Sequence, residues 1–146
     1  MKLHFQKVRE GAKLPVRATA QSAGADLCAC LEQSVSIAPG ETAMIPLGLK
    51  CQPDAQDMAL LIFPRSGLSS KHGITLANAV GVVDTDYRGE WFVPLHNLSQ
   101  TPFTVEHGMR VAQLVAVPVY FPEIVETLNV DETERGEGGF GSSGIR

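Results

Sequence analysis

The chain of 146 residues carries 12 Lys and Arg against 16 Asp and Glu, which gives a formal net charge of −4. Its length fits one domain, and 44% hydrophobic with 19% charged residues is ordinary for a soluble globular protein. The acidic balance argues against a nucleic-acid-binding surface, although a few arginines could still hold a small anionic ligand.

Apolar runs in chain order predict a protein built mainly from β-strands. The runs are rich in Val, Ile, Leu and Phe and are separated by Gly, Pro, Asn and Asp. Pro46, Pro94 and Pro118 fall inside them and fit strand ends, edges and bulges better than helix interiors. The runs are an opening stretch around Leu3 and Phe5, then residues 34–37, 42–51, 58–63, 73–83, 90–98, 103–105 and 110–120.

Many short strands with frequent turns favour an all-β fold, a jelly-roll-like β-sandwich or closed barrel. One short helix is predicted near residues 66–73. We expect a single domain, 1–146, with a body over about 1–122 and a C-terminal arm over about 123–146. The arm is acidic and then Gly-rich, and its segment RGEGGFGSSG has the composition of a flexible tail. The GxGxxG spacing within it lacks the following helix that a dinucleotide site requires.

Signals for secretion or membrane insertion are not evident in the sequence. The opening MKLHFQKVREG has no apolar run long enough for a signal peptide, and no stretch approaches the roughly 18 apolar residues of a membrane helix. Cys28, Cys30 and Cys51 are therefore expected to be free thiols of a cytoplasmic protein. The glycosylation triplet Asn97-Leu98-Ser99 is interpreted as chance.

Five segments could carry chemistry, and each taken alone has an ordinary alternative. They are AGADL (23–27), PRSGLSSKHG (64–73), GVVDTDYRGEWFVPLHN (81–97), RVAQLV (110–115) and the Gly-rich arm. Asp26 could be a turn former, and the second segment could be an N-capped helix with a surface Arg65 rather than a phosphate site. The third is predicted to be a hairpin with a polar turn, and Arg110 could be a solvated strand-end residue.

Taken together and in order, the five segments closely resemble the five motifs of the trimeric deoxyuridine triphosphatase (dUTPase) family. The resemblance runs from about Leu14 to Gly144. The departures are small: Ser69 stands where Ala is common, Trp91 where Ile or Val is common, and Ser143 where Thr is common. The resemblance implies a jelly-roll homotrimer that hydrolyses dUTP to dUMP and pyrophosphate. Such a reaction keeps uracil out of DNA and supplies dUMP for thymidylate synthesis.

Residue roles follow from the resemblance. Asp84 would be the general base that polarises the attacking water, Gln113 would help around the α-phosphate, and Arg135 of the arm would meet the terminal phosphate. Asp26 would support a metal's water shell or a neighbouring arginine, and Arg110 would also have a supporting role. Mg²⁺ would be held by the triphosphate and water, with no direct protein ligand. The substrate-binding residues would be Arg65, Ser66 and Gly67 for the phosphates, Asn78, Gly81, Val83 and Tyr87 for the deoxyuridine, and Phe140, Gly141, Ser142 and Ser143 from the arm.

Two other functions stay open at this point. A dCTP deaminase shares the fold, and its glutamate would have to be Glu90. A non-catalytic dUTP sensor or jelly-roll interaction module would need no base at position 84. Neither nucleic acid nor membrane is expected as a partner.

Overall fold

A computed structural model describes residues 1–139 and 142. This part of the chain folds into eleven strands and one helix. In chain order they are β1 (Leu3–Lys7), β2 (Ala25–Cys28), β3 (Val35–Ile37), β4 (Thr42–Pro46), β5 (Leu49–Pro53), β6 (Met58–Phe63), α1 (Ser66–His72), β7 (Ile74–Leu76), β8 (Gly81–Val83), β9 (Phe92–Asn97), β10 (Phe103–Val105) and β11 (Arg110–Pro118).

The strands form two larger sheets and two strand pairs, and every pairing is antiparallel. The larger sheets have the orders β2-β11-β6-β8 and β4-β9-β7, and the pairs are β1-β5 and β3-β10. The predicted all-β class with one short helix is confirmed. The apolar runs predicted most of these strands, because each run contributes one face to the interior.

One hydrophobic core joins the two larger sheets. Leu27, Leu60 and Val111 enter it from the four-stranded sheet, whereas Ile45 and Leu95 enter it from the three-stranded sheet. All five side chains are at most 1% exposed. Each such burial contributes about 1.5–3 kcal/mol relative to exposure, so the shared core is what holds the sheets face to face.

Asn97 is the one polar side chain that is fully buried within the described residues, at 0% exposure. Its Nδ2 donates to the carbonyls of Ile37 and Thr101 at 2.9 and 2.8 Å. Its Oδ1 accepts from the backbone amide and the hydroxyl of Ser99 at 2.9 and 2.7 Å. Every polar atom of the amide is therefore satisfied, and the residue ties the end of β9 to β3 and to the following loop.

The helix α1 begins directly after β6 and ends at Gly73. Gly73 adopts a left-handed conformation with φ of 66°, and its amide bonds the carbonyl of Ser69 at 3.1 Å, which is a common way to stop a helix. Arg65 occupies the N-cap position without a side-chain cap bond. In the described part of the chain, no helix has the length and apolarity needed to cross a membrane.

The hairpin prediction for residues 81–97 is wrong. β8 pairs with β6, whereas β9 pairs with β4 and β7, so the segment between them crosses from one larger sheet to the other. Trp91, which is 2% exposed, lies in the core at the end of this crossing. Two apolar runs around a polar turn look the same in a hairpin and in a crossing between sheets.

Other boundaries also differ from the sequence prediction. The run 42–51 is divided at Gly48, where φ is 67°, and the run 73–83 is divided by a turn in which Ala79 has φ of 60°. Residues 25–28, considered as a turn, form strand β2. Pro94 lies inside β9, beyond the last residue paired with β7, and its carbonyl accepts the Ala77 amide at 2.8 Å.

No strand or helix follows Pro118 within residues 119–139. This segment nevertheless carries large apolar side chains that are almost fully exposed: Tyr120 at 94%, Ile124 at 96% and Leu128 at 96%. Apolar side chains placed in this way do not stabilise the chain that carries them.

Candidate functional site

Asp26 lies at the centre of a charged cluster at one end of the four-stranded sheet. Its Oδ1 accepts from Arg65 Nε at 2.8 Å and its Oδ2 accepts from Arg110 Nη1 at 3.1 Å. The Asp26 side chain is 17% exposed, and those of Arg65 and Arg110 are 26% and 57% exposed. One carboxylate between two guanidinium groups leaves the cluster with a net positive charge, which suits an anionic ligand.

Strand pairing explains why these three residues meet. Asp26 of β2 is paired with Gln113 of β11, and Gln113 is also paired with Phe63 of β6, which ends just before Arg65. Arg110 stands at the start of β11 and is largely exposed, as considered from the sequence, but it also bonds Asp26. Asp26 supports both neighbouring arginines.

Gln113 faces the same cleft. Its Nε2 donates to the carbonyl of Pro64 at 3.0 Å, which leaves its Oε1 against the Cα of Gly24. A methyl group at Gly24 would overlap Oε1 and would lie 3.2 Å from Cδ of Gln113. The small residue in the AGADL segment thus makes room for the Gln113 side chain.

The cleft is open and has a volume of about 370 Å³. Ser66 and Gly67, the first two residues of α1, are exposed at its edge next to Arg65. The N-capped helix considered as an alternative is not observed, because the cap position is Arg65 itself and makes no side-chain cap bond. The lining residues that matter here are Ser22, Gly24, Asp26, Arg65, Arg110 and Gln113.

Asp84 lies far from this cleft within the same chain. β8 runs antiparallel to β6 with Val83 opposite Leu60, so Asp84 follows at the level of Ala59. Arg65 lies beyond the other end of β6. Six residue positions, the last two of them beyond the end of β6, separate these two levels, which corresponds to about 20 Å of extended chain.

The Asp84 carboxylate is exposed, and no other group in residues 1–139 and 142 donates to it. It lines a second, wider groove of about 1110 Å³ together with Tyr120 and Phe121. Its backbone begins a turn in which the Tyr87 amide donates to the Asp84 carbonyl at 3.2 Å. Arg88 Nη1 bonds the carbonyl of Thr85 at 2.6 Å and so fastens the turn.

Asn78, Gly81 and Val83 lie next to each other beside β6. Asn78 is exposed, and its Nδ2 lies 3.5 Å from the place that a Cβ of Gly81 would occupy. That same Cβ would lie 3.3 Å from Cβ of Ile62, so the backbone of β8 passes very close to β6 here. Gly81, which is half-buried, therefore lies between β6 and the side-chain amide of Asn78.

Tyr87 is 46% exposed and its ring folds back over the turn. Its hydroxyl donates to the carbonyl of Glu90 at 3.1 Å. Asp84, Asn78, Gly81, Val83 and Tyr87 therefore form one group, and Asp26, Arg65, Ser66, Gly67, Arg110 and Gln113 form another. A single chain does not bring the two groups together.

Arg135 and Ser142, the arm residues of this set that the structure describes, bond only within the arm. Arg135 is exposed and its Nε donates to the carbonyl of Gly138 at 2.8 Å, within a local turn. Ser142 is exposed and its amide donates to the carbonyl of Gly139 at 2.9 Å. Phe140, Gly141 and Ser143 lie outside the described residues.

Among residues 1–139 and 142, no group of three or more His, Cys, Asp or Glu side chains is close enough to hold a metal ion. The three cysteines are unpaired. Burial raises the pKa of Cys51 to about 11, against a weaker opposing effect of Arg88. Burial also raises the pKa of Cys28, which lies near Lys13, Asp26 and the two cleft arginines.

The sequence that carries these groups matches a known family. The family model for dUTPase matches residues 10–144. The chain belongs to the dUTPase family. It is 47% identical over 144 residues to a deoxyuridine 5'-triphosphate nucleotidohydrolase of Enterobacter sp. (strain 638), covering 99% of this chain and 95% of that protein. A relative of the same name from Serratia proteamaculans is 50% identical over 131 residues, covering 90% and 86%.

A solved dUTPase structure has the same fold as this dUTPase-family chain. The Staphylococcus bacteriophage 80alpha dUTPase, as a G164S mutant with dUpNHpp, superposes with a TM-score of 0.88 over 99% of both chains at 26% identity. The resemblance inferred from the five motifs is confirmed.

The sequence did not reveal three contacts of the site. Gly24 accommodates Gln113, Gly89 lies under the ring of Tyr87, and Glu90 is held by Arg9. The two glycines lie inside motifs, but a motif gives no sign of which side chain fills the space they leave. The Arg9 contact joins residues 81 positions apart, and charge pattern alone does not predict it.

Proposed function

We propose that this dUTPase-family chain hydrolyses dUTP to dUMP and pyrophosphate by direct attack of water on the α-phosphorus. The oxygen of the water forms the new bond to phosphorus. The bond from the α-phosphorus to the bridging oxygen breaks, and the electron pair leaves with pyrophosphate. One O–H bond of the water breaks as the new bond forms, and its proton passes to the Asp84 carboxylate.

The cleft at Asp26 is suited to the triphosphate. Arg65 and Arg110 supply positive charge, and the backbone amides of Ser66 and Gly67 with the Ser66 hydroxyl supply donors at the edge. Asp26 already orders the guanidinium groups of Arg65 and Arg110, so these side chains lose little further entropy when phosphate binds. Gln113, ordered by Pro64, would contact the α-phosphate and the water.

Mg²⁺ fits this site as an ion that arrives with the triphosphate. Asp26, the carboxylate of the cleft, is engaged by two guanidinium groups, so phosphate oxygens and water are the ligands that the ion would keep. Bound in this way, the ion would neutralise phosphate charge during the reaction. Arg65 and Arg110 would remain the groups that orient the phosphates.

The turn at the other end of β6 would bind the nucleoside. Asn78 and the backbone at Gly81 would read the uracil edge, with Val83 in the floor. A 5-methyl group on the base would collide with this floor, where β8 lies beside β6. Tyr87 would stack against the deoxyribose and leave no room for a 2′-hydroxyl.

Two observations support self-association, and the resemblance to the trimeric family makes a homotrimer the state that we propose. Asp84 and the phosphate cleft are about 20 Å apart in one chain, so one reaction centre needs Asp84 from one copy and the cleft from another. The exposed apolar side chains of residues 119–130 also favour burial against a second copy. The arm would then extend over a site of neighbouring copies.

Closure of the arm would complete the site. Arg135 would reach the terminal phosphate, Phe140 would cover the uracil, and Gly141, Ser142 and Ser143 would add donors to phosphate. Glycines permit backbone to approach phosphate closely. The body over about 1–122 and the arm over about 123–146 would thus act as separate parts of one domain in a cytoplasmic enzyme.

The observation that carries the proposal is the Asp26–Arg65–Arg110–Gln113 cluster within a member of the dUTPase family. The test measures pyrophosphate and monophosphate released from dUTP, dCTP, dTTP and UTP with Mg²⁺. Asp84→Asn and a chain truncated before Arg135 are compared with Asp86→Asn, which removes a charge from the same turn. We expect cleavage of dUTP alone, with most activity lost in the first two variants and little lost in the third.

Other outcomes would overturn the proposal. Binding of dUTP without cleavage would favour a sensor, and ammonia release from dCTP would favour a deaminase. The structure opposes the deaminase, because the Glu90 carboxylate is engaged by Arg9 and by the Gly48 amide.

A further inference from the structure

The ring of Tyr87 lies directly on the backbone of Gly89. A methyl group placed on the Cα of Gly89 would overlap Oη and Cζ of Tyr87 and would lie 2.9 Å from Cε2. Gly89 does not have a positive φ, so alanine could adopt its backbone conformation without strain. Any side chain at position 89 would therefore act on the Tyr87 ring rather than on the turn itself.

The hydroxyl end of the Tyr87 ring is bonded to Glu90. Tyr87 Oη donates to the Glu90 carbonyl at 3.1 Å. The Glu90 side chain is itself fixed: its Oε2 accepts from Arg9 Nη2 at 3.1 Å, its Oε1 accepts from Arg9 Nε, and Oε1 also accepts the Gly48 amide at 3.2 Å. The Glu90 side chain is 19% exposed and that of Arg9 is 39% exposed, so the carboxylate is partly shielded from water while the guanidinium faces solvent.

Backbone bonds anchor Glu90 on its other side. The Trp91 amide donates to the Leu49 carbonyl at 2.8 Å, and the Trp91 carbonyl accepts the Leu47 amide at 3.0 Å. Residues 90 and 91 therefore bond the chain on both sides of Gly48. Gly48 has a left-handed backbone and lies close to Cβ of Arg9. The carbonyl that receives the Tyr87 hydroxyl is fixed to the body of the fold.

We propose that Gly89 and the Arg9–Glu90 ion pair are positioning residues that hold the Tyr87 ring in place and so determine the discrimination between deoxyribose and ribose. This inference rests on the proposed function, in which Tyr87 stacks on the sugar. A ring that moves by a fraction of its own width leaves space for a 2′-hydroxyl. None of these positioning residues needs to touch the nucleotide.

The test measures kcat and KM for dUTP and for UTP. In Gly89→Ala, the ratio of kcat/KM for dUTP to that for UTP is expected to fall by about tenfold or more. Arg9→Gln is expected to lower the same ratio by a smaller factor, and Arg9→Lys is expected to restore part of it. Lys7→Gln is the matched control, since it removes one positive charge from an exposed residue of the same segment and should leave the ratio unchanged.

Repeating Gly89→Ala in a Tyr87→Ala variant separates an effect on the position of the ring from a general loss of stability. In Tyr87→Ala the ring that collides with position 89 is absent, so adding Gly89→Ala should change the ratio no further. The melting temperature of each variant is recorded beside the kinetics. An unchanged ratio in Gly89→Ala, or an equal drop in the Tyr87→Ala background, would refute the inference. If the parent chain does not cleave dUTP, the proposed function itself has failed.

Discussion

The two ends of strand β6 are built in different ways. At the end near Arg65, side chains bond one another: Asp26 holds two arginines, and Gln113 is held by Pro64. At the end near Asp84, the backbone turn is fastened by Arg88, but the carboxylate is left exposed. The side chains at the Arg65 end are ordered by contacts within their own chain. The Asp84 carboxylate at the other end is exposed to a ligand or to another copy.

This difference indicates how a small chain can contribute to a site that no single copy contains in full. The phosphate end requires charge to be organised before a polyanion arrives, and a single chain achieves this with one carboxylate. The end that would supply the base gains nothing from internal partners, because a bonded carboxylate is a poorer proton acceptor.

Complementation between two inactive variants is the strongest test of whether the two ends of β6 serve different sites. Asp84→Asn and Gln113→Ala are each expected to lose about 10²–10⁴-fold in kcat. If each site combines the two ends from different copies, a denatured and refolded equal mixture should regain about a quarter of the parent activity, because that share of sites receives both intact residues. Pyrophosphate release is the measurement, and each variant refolded alone is the control.

Failure to regain activity, with mixed oligomers present, would mean that both ends of one chain serve the same site. That outcome would contradict the distance along β6.

Asp26→Asn would test the ordered end. The amide keeps the shape of the carboxylate but loses the charge that holds two guanidinium groups, so kcat/KM for dUTP should fall by about 10- to 100-fold. Binding of dUpNHpp, measured by calorimetry, should weaken in parallel. Tighter binding in the variant would instead mean that Asp26 only reduces the positive charge of the cleft.

Gly24→Ala would affect the same end more gently. The added methyl displaces the carbonyl oxygen of Gln113, and a shift of this size in a positioning group is expected to cost about tenfold in kcat. Unfolding should be nearly unchanged, since Gly24 does not have a positive φ. A full loss of folded protein would show that the contact is structural rather than functional.

The pKa of Cys51 is linked to the turn near Asp84. Arg88 of that turn lowers this pKa, whereas burial raises it more strongly. Burial in the fold raises the pKa of the Cys51 thiol from an ordinary 9.0 to about 11. Since the folded pKa is the higher one, stability should be complete below pH 9 and should decrease toward pH 11, by up to about 2–3 kcal/mol.

Urea unfolding at fixed protein concentration between about pH 8 and about pH 11 measures this decrease. Cys51→Ala should have a smaller slope with pH, whatever its absolute stability. Equal slopes would show that other groups dominate.

Much of the fold was predictable from the sequence, because strands with one buried face leave alternating apolar residues in a single chain. Residues 25–28 were not predicted as a strand, since Leu27 is the one large apolar residue among small ones, and pairing with β11 decides their conformation. The crossing at 84–91 was not predicted either. It depends on which strands pair, and that information lies in residues far along the chain.

The candidate site was predictable in its residues but not in its contacts. The five motifs named Asp26, Arg65 and Gln113, yet only the register of β2, β11 and β6 brings these side chains into one cleft. The same register separates Asp84 from them.

The closed environment of Asn97 has a consequence for chemical modification. Asn97-Leu98-Ser99 has the sequence of a glycan acceptor, but the nitrogen that would carry the sugar donates to two carbonyls and is inaccessible to any enzyme. If the chain were made in a glycosylating compartment, modification could take place only before folding. The sugar would then prevent β9 from joining β3 and the loop that follows it, so folding and glycosylation of this protein exclude each other.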